Sequence, residues 1–331
     1  MIRFSNSAGL SMPLRYRADL QTLGYMLLAS TLLLVQWRAE QFSVAMYVLT
    51  LLLAFAVGIM NHNHCHVPMW RARWLNRLTD CWFTLFLGHP GFVFQLCHER
   101  NHHRHRNRAH DWTRTWRDRD DNCLSGFLRH PFESVIALQP HIADRLHRVR
   151  AQSDGSTIDA NSRTGPASDS AFGSWNGHWI RLHYLLQVSA VGLALLLDPI
   201  KALVLVLIPQ LTALFFLLVS NYLQHAHTDE RSQGAHSRTF LGWVNPLFFN
   251  IGLHAAHHWQ GGAHWSELPG LHARIAHTLD ARVVERGLAW YCLRVFVLSS
   301  VVPRWRSQSL RRPVYEQRVD VERHAQLLVS Q

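Results

Sequence analysis

Lysine is nearly missing: Lys201 is the only one among 33 basic residues in a chain of 331. That bias reads as GC-rich coding rather than as a function. Cysteine is scarce as well. Cys65, Cys81, Cys97, Cys123 and Cys292 are odd in number and form no CxxC pair, which argues against a disulfide framework and against a zinc ribbon. Charged residues make up only 17% against 48% apolar ones, a balance that excludes an intrinsically disordered chain. No internal repeat and no fused haem or iron–sulfur domain can be read in the sequence. What the chain has in excess is histidine, 24 residues, together with a net charge of +11. Its mean hydropathy of −0.05 averages two unlike parts.

The apolar residues are clumped. Leu20–Trp37 and Phe42–Met60 carry no charged side chain and are separated by the short turn Arg38-Ala39-Glu40-Gln41. Trp179–Leu197 and Ile200–Ser220 form a second pair joined at Asp198-Pro199. At about 1.5 Å per residue such segments reach across a hydrocarbon core of roughly 30 Å. A signal-peptide core fits the first run less well, because no small-residue cleavage site follows it and the second run begins at once. The pattern predicts an all-α integral membrane protein with two transmembrane hairpins, 20–60 and 178–220. Arginines crowd the stretch between them (Arg71, Arg73, Arg77, Arg100, Arg104, Arg106, Arg108, Arg114, Arg117 and Arg119 among others), while the hairpin turns offer only Arg38 and Lys201. By the positive-inside rule both termini and the middle segment are expected in the cytoplasm, in a bacterial inner membrane. Cytoplasmic caps are then expected over 61–146 and 221–303, after an N-terminal segment 1–19 and before a basic tail 304–331. The Ser- and Asp-rich stretch 147–177 reads as a flexible linker. Cys81–Cys97, interrupted by Gly88-His89-Pro90-Gly91, and Leu288–Val302, which contains Arg294, read as re-entrant or interfacial rather than as crossings.

The histidines are grouped at the edges of these spans. His62 and His66 follow the second run; His98, His102 and His103 lie in HERNHHRHR; Asn221 and His225 follow the fourth run; His254, His257 and His258 lie in NIGLHAAHH. Steps of three or four residues place imidazoles on one helical face, about 5–6 Å apart at Cβ. His64 falls about 200° around the helix from His62 and is left out. Nine imidazoles suit a borderline transition metal such as iron, and they are too many for one ion with its usual four to six ligands. Single histidines elsewhere, such as His105, His110, His141, His147, His178, His236, His272, His277 and His324, read more simply as surface residues.

In these motifs the chain resembles the membrane fatty acid desaturase and hydroxylase superfamily of non-haem diiron enzymes, bacterial desaturase-like branch. The resemblance covers roughly residues 20–300. His62–His66, His98–His102–His103 and His254–His257–His258 match its three histidine boxes, and Asn221–His225 matches the extra NxxxH of the stearoyl-CoA desaturase branch. The HxxxHH form of box two looks more like alkane hydroxylases, and NYLQHAH departs from the NYxEHYG of that branch. The resemblance implies a metal ligand set of His62, His66, His98, His102, His103, Asn221, His225, His254, His257 and His258. It also implies two iron ions, dioxygen as co-substrate, and a fatty acid or acyl-lipid substrate fed from the membrane plane. No catalytic residue beyond the ligands is implied. A separate electron donor of ferredoxin, rubredoxin or cytochrome b5 type is expected, and the basic cap would steer an acidic carrier. Desaturation is the expected reaction, with decarboxylation to a 1-alkene and hydroxylation as alternatives that differ by angstroms in chain placement.

Two readings of another kind compete. His98-Glu99-Arg100-Asn101-His102 fits the HExxH zinc-protease signature, but it would leave seven box histidines without a role. A non-catalytic metal-binding or transport protein needs ionisable ligands along a route through the spans, whereas these groups sit beyond span ends. Glu99, Asp111, Asp229 and Glu267 lie near the boxes as possible partners of the ligands. Trp265 is read as a tunnel wall or an interfacial anchor, and Phe55, Phe86, Phe92, Phe215, Phe216 and Phe248 as tunnel liners or core aromatics. If Cys81–Cys97 enters and leaves on one side, site-specific labelling puts residues 62 and 98 in the same compartment; opposite compartments would refute that topology.

Overall fold

The computed structural model describes residues 13–116, 124–153 and 177–311. The extreme N-terminus, Cys123, the linker from residue 154 to 176 and the tail from 312 lie outside the described residues. Four helices are long and apolar enough to cross a membrane: α1 (Asp19–Arg38), α2 (Val44–His66), a helix covering His178–Leu197, and Pro199–His225. Between them lie α3 (Arg73–Leu87) and α4 (Leu124–Ser153), so the last two spans are numbered α5 (Gly177–Leu197) and α6. α4 runs on through Ser153, so residues 147–153 are helical and not part of a linker. The chain divides into two compact units, one of residues 1–96 and 140–217 and the other of residues 97–139 and 218–331.

The first unit holds the hairpins. Ser43 starts α2 by accepting the Met46 N–H, and Asp198 with Pro199 behind it starts α6 by accepting the N–H groups of Ile200 and Lys201. Lys201, the lone lysine, donates its Nζ to the carbonyls of Trp37 (2.7 Å) and Ala39 (3.1 Å). A cation thereby meets the negative end of α1 and fastens the two hairpin turns at one end of the unit. Leu27, Leu34, Leu185, Val188, Leu196 and Leu211 remain exposed along the spans, the apolar surface that helices present to lipid.

α3 does not cross. It begins beside the histidine end of α2, where the Met69 N–H donates to His64 Nδ1, and the turn after Leu87 brings the chain back to the same end. There the Gly91 carbonyl accepts from Asn61 Nδ2 at 3.1 Å, and Gln95 Nε2 donates to the Cys65 carbonyl. Buried Phe92 packs edge-on to His183, Phe86 stacks on Trp82, and Phe55 and Phe215 both lie against the exposed Phe216.

The second unit is built from short pieces. Thr239–Phe240 and Val284–Glu285 pair as two parallel strands, and α7 (His254–Trp259) follows a backbone turned by Phe249 and Asn250 in the left-handed region. Buried Tyr291 is flanked by the guanidinium groups of Arg238 and Arg294, which share Glu285. Leu288–Ser300 is a short apolar helix of mixed winding, below the length of a span.

A Cβ on Gly91 would fall inside the Asn61 amide and against Phe83. Gly91→Ala is expected to destabilise the detergent-solubilised protein by about 1–3 kcal/mol, whereas Gly192→Ala, which meets nothing within 4 Å, leaves the melting temperature essentially unchanged. Thermal melts of the two variants check this.

Candidate metal centre

Within the second unit four imidazoles point at one another. The last turn of α6 supplies His225, α7 supplies His254 and His258, and the helical segment before residue 106 supplies His102. Their ligand nitrogens all lie within 4.8 Å of one another. The Nε2 atoms are 3.2 Å apart for His102 and His258, 2.9 Å for His225 and His254, 3.2 Å for His225 and His258, and 3.0 Å for His254 and His258. All four rings are at most 2% exposed.

The protons on these rings can be placed by their other nitrogens. His102 Nδ1 is 2.6 Å from Asp111 Oδ2, and a carboxylate can only accept, so Nδ1 carries a proton and Nε2 is the nitrogen turned to the other rings. His225 Nδ1 donates in the same way to the His236 carbonyl at 3.2 Å, and its Nε2 is bare. The bare Nε2 of His225 thus faces three further imidazole nitrogens in a buried pocket. Burial depresses the His258 pKa well below its ordinary value, and the neighbouring His254, His103, His102 and His225 add to the effect, so protonation does not relieve the crowding. A shared cation does. Imidazole nitrogens each about 2 Å from one metal ion have separations of the size seen here, and an all-nitrogen set suits a borderline transition metal.

A second approach of nitrogens lies beside it in the same unit. His103 Nε2 is 3.0 Å from His98 Nε2 and 2.9 Å from His257 Nε2, and the last two are 3.5 Å apart. The segment His98–His102 explains how one box serves both sets. It is wound as a π-turn, closed by the His103 N–H on the His98 carbonyl, so neighbours on one face are five residues apart instead of four. His98 therefore meets His103, while His102 turns its nitrogen to the four-histidine set. The rings of His98 and His102 stay stacked with centroids 5.2 Å apart, yet their nitrogens join different partners. A single zinc held by both, as HExxH requires, does not match this arrangement.

The other expected residues find these places. In the first unit His62 and His66 are neighbours on α2, with ring centroids 5.0 Å apart, and His64 turns away to Asp80 at 3.8 Å. Asn221, one turn before His225, donates its amide nitrogen to the Thr113 carbonyl at 2.8 Å and lies 3.4 Å from His130 Nε2. Of the four acidic candidates, Asp111 touches a box histidine. Asp229 accepts the Arg231 N–H, Glu267 accepts the His264 N–H, and Glu99 is half-buried on the π-turn. Trp265 is buried against Phe249 and does not anchor the unit at a surface.

Sequence reasoning missed two histidines and underrated a third residue. His236, read as a surface residue, is buried and orients His225 through its carbonyl. His130, on α4, is buried between Ser134 and Asn221. Neither sits in a spaced box, and a carbonyl partner leaves no mark on residue identity. Asp111 has a visible signal only in hindsight of the turn that follows box two.

Gly261 backs onto the His103 ring, where a Cβ would come 2.9 Å from Nδ1. Gly261→Ala is expected to displace this imidazole and weaken metal binding about tenfold. Equilibrium metal titration, with circular dichroism to show an unchanged fold, checks it.

The fatty acid desaturase family model matches residues 42–310. No curated protein and no solved structure matches the chain. The match covers most of the sequence, including the segments that carry every histidine box and three of the four apolar spans. Taken with four membrane-length helices and histidine clusters able to hold metal, it means that the chain belongs to the fatty acid desaturase family of membrane oxidoreductases.

Proposed function

We propose that this protein is an oxygen-dependent diiron enzyme that removes hydrogen from a fatty acid or acyl chain, with desaturation as its reaction. The convergence of four buried imidazoles carries the reading: such a cluster can hold a cation, and the family uses such sites for oxidation of lipid chains. We assign one metal to His102, His225, His254 and His258. The other is assigned to His98, His103 and His257 together with His62 and His66, as the sequence boxes expect. Asn221 contributes through its side-chain oxygen, because its nitrogen is already committed to Thr113.

When bound, a pair of redox-active ions supplies oxygen activation and the power to break an unactivated C–H bond. The chain's own residues do the rest. Asp111 and the His236 carbonyl hold the protons of His102 and His225 on Nδ1 and keep Nε2 free for the metal. Burial of the four rings keeps water from the reacting position. α2 and α6 each run on from an apolar span into their histidines, and the substrate is a hydrocarbon chain drawn from the membrane. The electron donor is a separate acidic carrier of ferredoxin, rubredoxin or cytochrome b5 type, drawn to exposed arginines such as Arg100, Arg104 and Arg108. We place the site and both termini in the cytoplasm of a bacterial inner membrane, from the distribution of arginines.

Expression in a host fed defined fatty acids, with extracts and headspace analysed by mass spectrometry, tests the reaction. An unsaturated product that disappears, by at least about a hundredfold, in His258→Ala is expected. A 1-alkene one carbon shorter or a hydroxylated acid would replace desaturation with decarboxylation or hydroxylation. Metal analysis is expected to find about two irons per chain, and stoichiometric zinc without iron would overturn the assignment.

A further inference from the structure

Asp111 accepts hydrogen bonds from three residues of the second unit. It is fully buried. Its Oδ1 accepts from the Thr113 N–H at 2.8 Å and the Thr113 hydroxyl at 2.9 Å. Its Oδ2 accepts from the Asn107 N–H at 2.7 Å and from His102 Nδ1 at 2.6 Å. The same turn reaches a second ligand. Asn107, in the left-handed region, donates its side-chain nitrogen to the His225 carbonyl at 3.2 Å, while its oxygen accepts the Thr115 N–H and its carbonyl accepts Trp116 Nε1.

We propose that the 107–115 turn is a positioning device for the four-histidine set, with Asp111 as its working group. Resting on the diiron reading above, the inference assigns this turn the task of building the set before any metal arrives. Asp111 settles the tautomer and direction of His102, and Asn107 ties the end of α6 to the same turn. With the ligands already oriented, the metal meets less reorganisation on binding, and a carboxylate behind an imidazole makes its far nitrogen a stronger donor. Asp111 touches neither substrate nor metal, so it acts through His102.

The test uses full-length protein in detergent, stripped of metal and titrated with Co2+, read by visible absorption and by melting of the metal-free form. In Asp111→Asn one acceptor oxygen becomes a donor facing the Asn107 N–H or His102. The expected result is cobalt binding to one site weakened by 10–100-fold, with a changed absorption band, and the other site unaffected. A carboxylate that only braces the fold would lower the melting temperature and leave both the affinity of the folded protein and its band unchanged; that result overturns the proposal. Should Asp111→Asn fail to fold, Thr113→Val removes one hydroxyl donor to the carboxylate while sparing its backbone hydrogen bonds. It is expected to weaken the same site by about threefold to tenfold, and unchanged binding would overturn the proposal. If the wild-type protein binds no cobalt at two sites, the diiron reading itself falls, an outcome distinct from either variant's.

Discussion

Buried imidazoles whose bare nitrogens face each other are unstable company. Each acceptor withdrawn from water without a partner costs about 1–3 kcal/mol, and here four imidazoles share one buried pocket. A cation common to all four satisfies them at once. The local structure of the second unit follows from keeping that arrangement in place: a π-turn that splits box two, a carboxylate behind His102, a backbone carbonyl behind His225, and a short helix that carries His254 and His258 one turn apart.

The spans obey a different solvent. Lipid requires every backbone polar group to be satisfied inside its own helix, and α1, α2, α5 and α6 do so with side chains left apolar and exposed. The same helices must also deliver polar ligands. α2 and α6 manage both by placing histidines only in their last turns, after the apolar run has ended. Lys201 shows the complementary economy at the opposite, turn end of the hairpins: a single ammonium group closes α1's exposed carbonyls where water is within reach.

The hairpins were legible because hydrophobic length is a one-dimensional property. Observed spans differ from the expected ones chiefly by running farther, to His66 and His225. The expected linker start at 147 failed for the opposite reason: Ser, Asp and Gly begin in strength only after Ser153, and the residues before them keep a helical pattern. Box spacing identified the histidines that meet in the second unit, yet misjudged how they meet. It assumed 3.6 residues per turn through His98–His103, where the backbone takes a wider one.

The amino-acid order by itself determined that four apolar helices would form and that imidazoles would recur at their ends, since both depend on residue type and periodicity along the chain. Only the tertiary structure decided which nitrogens meet in the second unit, that His102 and His225 each carry a proton on Nδ1, and that Asp111 stands behind His102. Those outcomes depend on distances between residues far apart in sequence, and a hydrogen bond to a carbonyl or a π-turn carries no letter of its own.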